Sequence, residues 1–147
     1  IKKDKNVKIE KNVKDLLNEE VKFGIKKFKT YQDFGDKVYK IRENVIKNIQ
    51  DLKKNKKNII GYGAPAKATT ALNFFNINKE IDFIIEDNKL KHGKFVPGVN
   101  IPIVSKEMIK NDEQTILVLA WNFFNEIKKN NKNLSSNFIN IKSLEKE

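Results

Sequence analysis

The stretch Gly61-Tyr62-Gly63-Ala64-Pro65-Ala66-Lys67 carries the chain's strongest signal for ligand chemistry. Gly61 is expected to let the chain turn sharply. Gly63 would let a ligand approach the backbone at Ala64 with no Cβ in the way. Pro65 suits the first turn of a helix, whose free amides and partial positive charge would then point at a phosphate. Lys67, in that first turn, adds a full charge. The third glycine of the dinucleotide fingerprint is missing. Glu86 and Asp87 follow about 23 and 24 residues after Gly63, close to the spacing at which an acid meets a ribose hydroxyl. The plain alternative is a tight strand–helix turn with an empty mouth.

Two further segments supply candidates. In the loop from Asp87 to Gly98, Lys91, Lys94 and the backbone amides of Gly93 and Gly98 can contact phosphate, while Tyr62 and Asp87 flank the turn. His92, the one histidine, reads as a solvated side chain. Ala120-Trp121-Asn122 closes an apolar run. Trp121 can stack on a base or sugar, and Asn122 can hydrogen-bond a ligand or cap the next helix. No nucleophile–base pair and no catalytic residue is expected: there is no cysteine, and Ser105, Ser135 and Ser136 read as cap or loop residues. A metal site lacks a second soft ligand.

The elements that must position these residues follow from periodicity. Asn12 is expected to cap a helix carrying Val13, Leu16, Leu17 and Val21, with Gly24 ending it. A longer helix follows, with Thr30 and Asp33 near capping-box spacing. Its stripe is Tyr31, Phe34, Val38, Ile41, Val45, Ile49 and Leu52, which needs an apolar partner surface. Lys53 to Lys57 reads as a solvated helix exit. Strands are expected at 58–62, 81–85, 115–121 and 138–141, with a short extended piece at 101–103. Helices are expected from Pro65 through Phe75, over 106–110 behind Ser105, and over 123–129. Alternation of strand and helix means right-handed crossovers and a mostly parallel sheet. The fold class is therefore α/β, Rossmann-like, divided into a helical lead-in of two helices (1–57) and a Rossmann-like domain (58–147).

Composition narrows the partners. Hydrophobic residues make up 39% and charged residues 33%, proportions of a globular chain. The net charge of +11 comes from lysine scattered among asparagine and isoleucine, with Arg42 the one arginine. Nucleic-acid binding is not expected, because arginine is the residue preferred for bidentate contacts. The charge would still steer anionic small molecules inward. No run approaches a membrane helix, so no membrane partner is expected. The lack of cysteine excludes disulfides and suits a reducing, cytoplasmic compartment. The start at Ile1, with no initiator methionine, predicts a fragment or a processed chain.

Three segments together resemble one family. They are Gly61 through Asn73, Asp87 through Lys94 continuing as Pro97-Gly98-Val99-Asn100-Ile101-Pro102-Ile103, and Ala120-Trp121-Asn122-Phe123 with Glu126-Ile127. They resemble the C-terminal domain of S-adenosylmethionine-dependent C-methyltransferases that act on nucleotide-linked deoxysugars. The resemblance covers nearly the whole chain, including the lead-in with Tyr31 and Phe34. It implies a zinc-binding segment and a methyl-donor domain outside this chain, and a nucleotide-linked sugar held between that missing methyltransferase domain and this one. S-adenosylmethionine is expected in the missing domain, with no cofactor bound here. Two positions depart from the family: Ala68-Thr69 replaces a common glycine–asparagine, and Glu86 precedes the aspartate.

Taken together, the chain is expected to hold the diphosphate at the Gly61–Lys67 turn and the Lys91–Gly98 loop and to be inactive alone. Two other classes stay open. One is an NAD(P)-binding domain of an oxidoreductase, supported by the turn and the acid beyond the second strand. The other is a structural interaction domain in which the glycine turn is empty and the Tyr31–Leu52 stripe is the working surface.

Overall fold

The structure is a computed structural model, and it describes residues 9–55, 58–109, 114–134 and 137–146. Lys56 and Lys57, Lys110, and Ser135 and Ser136, which the sequence assigns to a helix exit, a short helix and a loop, lie outside those residues. The chain divides into two compact units, 1–39 and 40–147.

The first unit holds α1 (Lys11–Phe23) and the start of α2 (Phe28–Lys54). Gly24 ends α1 in the left-handed conformation at φ +85, its N–H reaching the carbonyls of Glu20 and Val21. That position favours glycine because a Cβ would crowd the backbone. Two capping expectations are corrected. Glu10 occupies the N-cap of α1, and Asn12 sits within the helix, its Oδ1 accepting from the Val13 amide at 2.9 Å. Thr30 lies inside α2, and its hydroxyl donates to the Gly24 carbonyl at 2.8 Å. No residue of α1 is buried.

The second unit is built on five parallel strands: β1 (Ile59–Tyr62), β2 (Ile84–Ile85), β3 (Ile103–Val104), β4 (Thr115–Val118) and β5 (Asn137–Asn140). Their order is β3-β2-β1-β4-β5, with Gly61 opposite Ile84 on one side and Leu117 on the other. Chain direction across the sheet therefore reverses between β1 and β4. In open parallel sheets such a reversal leaves a crevice beyond the strand ends. This is the α/β, Rossmann-like class. The Thr115–Trp121 run is shorter as a strand than its apolar length suggests, because the chain turns into a 3-10 segment at Trp121–Phe123.

Both sheet faces are covered, which is why β1 and β4 read as continuous apolar runs. On one face Val45 and Ile49 of α2 pack with Leu72 and Phe75 of α3 (Ala66–Phe75) against Ile59, Leu117 and Leu119. On the other, Ile60, Tyr62, Ile85, Ile116 and Val118 meet Phe124 and Ile127 of α4 (Phe124–Asn130). Pro65 stands at the N-cap of α3, one position ahead of its first turn. Among the described residues no helix is long and apolar enough to cross a membrane.

Candidate functional site

At the carboxyl ends of β1 and β4 lies a crevice of about 410 Å³. The chain reaches it through three turns: β1 into α3, β2 into a 3-10 turn at Lys89–Lys91, and β4 into the 3-10 turn at Trp121–Phe123. Tyr62, Gly63, Glu86, Asp87, Lys91 and Ala120 line it from these turns. Phe123 and four further residues of the α4 region, Glu126, Ile127, Asn130 and Asn131, close the far wall.

The two glycines of the turn do different work, which corrects the sequence expectation. Gly61 does not make the bend. It lies within β1, fully paired, and a Cβ there would stand 2.8 Å from Ile84 Cγ1 and 3.0 Å from Leu119 Cδ1. Its missing side chain is a packing clearance in the core. Gly63 makes the bend at φ +84, and a Cβ on it would meet the Cβ of Ala120 at 2.8 Å. The bare backbone at Gly63 thus lets the β1 and β4 ends approach each other.

Directly after the bend, the Ala64 amide donates to Glu86 Oε2 at 2.9 Å. The same carboxylate accepts from the Asn88 amide at 3.1 Å and from Lys91 Nζ at 3.1 Å. Lys91 also donates to the Ala64 carbonyl at 3.0 Å, and the His92 ring is 2.6 Å from the Glu86 carbonyl. His92 is therefore tied into the loop rather than solvated, and this contact selects the tautomer with a proton on Nε2. Burial alone would raise the Glu86 carboxyl, but the Ala64 and Asn88 amides and the Lys91 ammonium outweigh it and hold the group below its ordinary range. An amide that the sequence offers to a ligand's phosphate thus has an internal carboxylate as its partner.

A second polar cluster faces the crevice. The Tyr62 hydroxyl donates to the Asp87 carboxylate, at 2.9 and 3.0 Å from its two oxygens, and accepts from Asn131 Nδ2 at 3.2 Å. Burial first, and the Asp87 carboxylate next, push the Tyr62 phenol up to about 12, so it stays a neutral donor at physiological pH. Asn131 is held by its own bond to the Ile127 carbonyl at 2.8 Å.

The remaining sequence candidates are spread around this centre. Lys67 lies over the Trp121 ring, 4.2 Å from its centroid, at the mouth of α3. Asn122 is exposed and does not cap α4, where Phe123 is the N-cap and no side chain closes the helix end. The Gly93 amide donates to the Ile103 carbonyl at 3.0 Å, which starts a hairpin-like return of the loop. Gly98 takes φ +84 beneath Asn73, whose Nδ2 donates to the Pro97 carbonyl at 2.9 Å. Sequence reading missed Asn130 and Asn131 as lining residues and gave Phe123 no role beyond the family resemblance. Paired asparagines after a helix look like a C-cap, and only the fold brings them under β1.

Two comparisons with known proteins point the same way. The family model described as the C-methyltransferase C-terminal domain matches residues 1–140. A curated relative, the C-methyltransferase NovU of Streptomyces niveus, is 33% identical over 127 residues. That match covers 85% of this chain and 30% of the relative, so the chain spans less than a third of the protein it resembles.

Proposed function

From the premise that this chain belongs to the C-methyltransferase C-terminal domain family, we propose that it is the substrate-side domain of a methyltransferase acting on a nucleotide-linked deoxysugar. The observation that carries the reading is the crevice at the strand-order reversal, where Tyr62, Asp87 and Asn131 present polar groups beside an exposed Phe123 face. Carboxylate, phenol and amide are the groups that read sugar hydroxyls. Trp121 and Lys67 at the mouth of α3 suit a base or a phosphate lying outside the pocket.

Transfer of a methyl group to carbon needs a base that forms a carbanion and a donor aligned with it. The chain matches only 30% of the relative's length, which leaves the donor and the base to the rest of such an enzyme. The donor, the base and the rest of the enzyme are therefore assigned outside this chain, and the domain's contribution is to bind and orient. The exposed apolar side chains of α1, Val13, Leu16, Leu17 and Val21, suit packing against that missing domain. A cysteine-free chain suits work in a reducing cytoplasm.

Titration of the chain with a nucleotide-linked deoxysugar should quench Trp121, the one tryptophan. NADH and S-adenosylmethionine should leave its emission unchanged, and no methyl transfer should occur. Saturable NADH binding in place of the sugar nucleotide would replace this reading with the oxidoreductase one.

A further inference from the structure

Glycine turns at the end of a first strand commonly seat phosphate, because bare amides and a helix end face the ligand. Here that seat has a tenant. Glu86 Oε2 sits 2.9 Å from the Ala64 amide, Oε1 lies 3.1 Å from the Asn88 amide, and Lys91 supplies the cation. One carboxylate thus meets two backbone donors and an ammonium, the set a phosphate oxygen would otherwise meet. Its side chain is only 13% exposed. A separate observation agrees. In a chain of net charge +11, the charged groups lining the crevice are Glu86, Asp87, Glu126 and Lys91, three carboxylates against one ammonium. A pocket of that sign repels a diphosphate at close range and attracts hydroxyl donors.

We propose that Glu86 is a built-in substitute for phosphate that closes the glycine turn to anions, so that the crevice selects its ligand through hydroxyl groups at Tyr62 and Asp87. The inference rests on the substrate-side reading above and refines it. The hydroxyl-bearing ring of the nucleotide-linked sugar occupies the crevice, and the diphosphate stays outside the Gly63–Ala64 bend. Glu86 acts as a specificity-determining residue by excluding one ligand class, and Lys91 holds it in place. The spacing expectation for an acid beyond the second strand then applies to Asp87, the neighbour whose carboxylate is 63% exposed beside the pocket.

The test uses the 147-residue chain labelled with nitrogen-15 and inorganic pyrophosphate as the probe. In the unsubstituted chain pyrophosphate should leave the Ala64 and Asn88 amide resonances in place. Glu86→Ala frees both amides and Lys91, and pyrophosphate should then bind there at least tenfold more tightly. Glu86→Gln keeps an acceptor for Ala64 without the charge, and should give a smaller gain; it serves if the alanine variant fails to fold. A pyrophosphate-induced shift at Ala64 in the unsubstituted chain would overturn the proposal. So would a folded Glu86→Ala chain that still ignores pyrophosphate. A nucleotide-linked deoxysugar that moves Asn131 but not Ala64 supports both readings. One that moves Ala64 sinks this inference alone, whereas no binding sinks the substrate-side reading and leaves the pyrophosphate result standing.

Discussion

The two ends of α2 carry the same apolar repeat and meet opposite fates. In the sheet-bearing unit, Val45 and Ile49 are fully buried in the core. In the first unit, Tyr31 and Phe34 are 58% and 67% exposed, and α1 buries nothing. Periodicity of 3.6 residues says which side of a helix wants cover, and it does so equally well at both ends. It does not say whether the cover is in the same chain. One end of the stripe closes a fold, and the other leaves its rings uncovered.

The sharpest way to break that contrast is a pair of truncations. Leu117→Ala, at a fully buried position of β4, should cost about 2–5 kcal/mol in a urea melt. Leu16→Ala, in α1 at 57% exposure, should stay within about 0.5 kcal/mol of the parent chain. Equal losses at both sites would mean the lead-in has a core of its own. Next in size is Gly63→Ala. It forces a Cβ into the left-handed region and against Ala120, and the expected loss is on the order of 3 kcal/mol, read from the same melts. Gly61→Ala should be costly through packing alone, since that backbone is ordinary strand.

Smaller effects probe the crevice. Tyr62→Phe removes a donor to an exposed carboxylate, so about 1 kcal/mol of stability is expected to go. Because the folded phenol is raised from 10.0 to about 12, its contribution is complete below pH 10 and fades as pH climbs between those values. Absorbance titration should find one of the three tyrosines ionising late, and Tyr62→Phe should abolish that late step. Glu86 runs the other way. Its folded carboxyl is depressed below 4.5, so the stability it lends is present above that value and is lost as pH falls through the lower folded value. Melting temperature compared between the parent and Glu86→Gln should differ at pH 7 and converge in acid.

Much of the fold is legible in the sequence, and the reasons are local. Ile59-Ile60-Gly61-Tyr62 and Thr115 to Val118 read as buried strands because both faces are apolar, and Gly24 announces a helix end by needing positive φ. The site is less legible. The Gly61/Gly63 pair reveals that the backbone must be bare, but not what comes near it. At Gly61 the neighbours are Ile84 and Leu119, and at Gly63 it is Ala120, all supplied by other strands or the turns after them. Glu86 stands at a spacing that suggests a ribose contact, yet the register of β1 on β2 brings its carboxylate to Ala64. Such pairings depend on sheet register, which a linear pattern does not contain.

Mapping amide shifts as a nucleotide-linked deoxysugar is added tests the proposal that the crevice at the ends of β1 and β4 holds a hydroxylated ring. Saturable shifts centred on Tyr62, Asp87, Phe123 and Asn131 are the predicted result. Shifts confined to α1 and the first turns of α2, or no shifts at all, would contradict it.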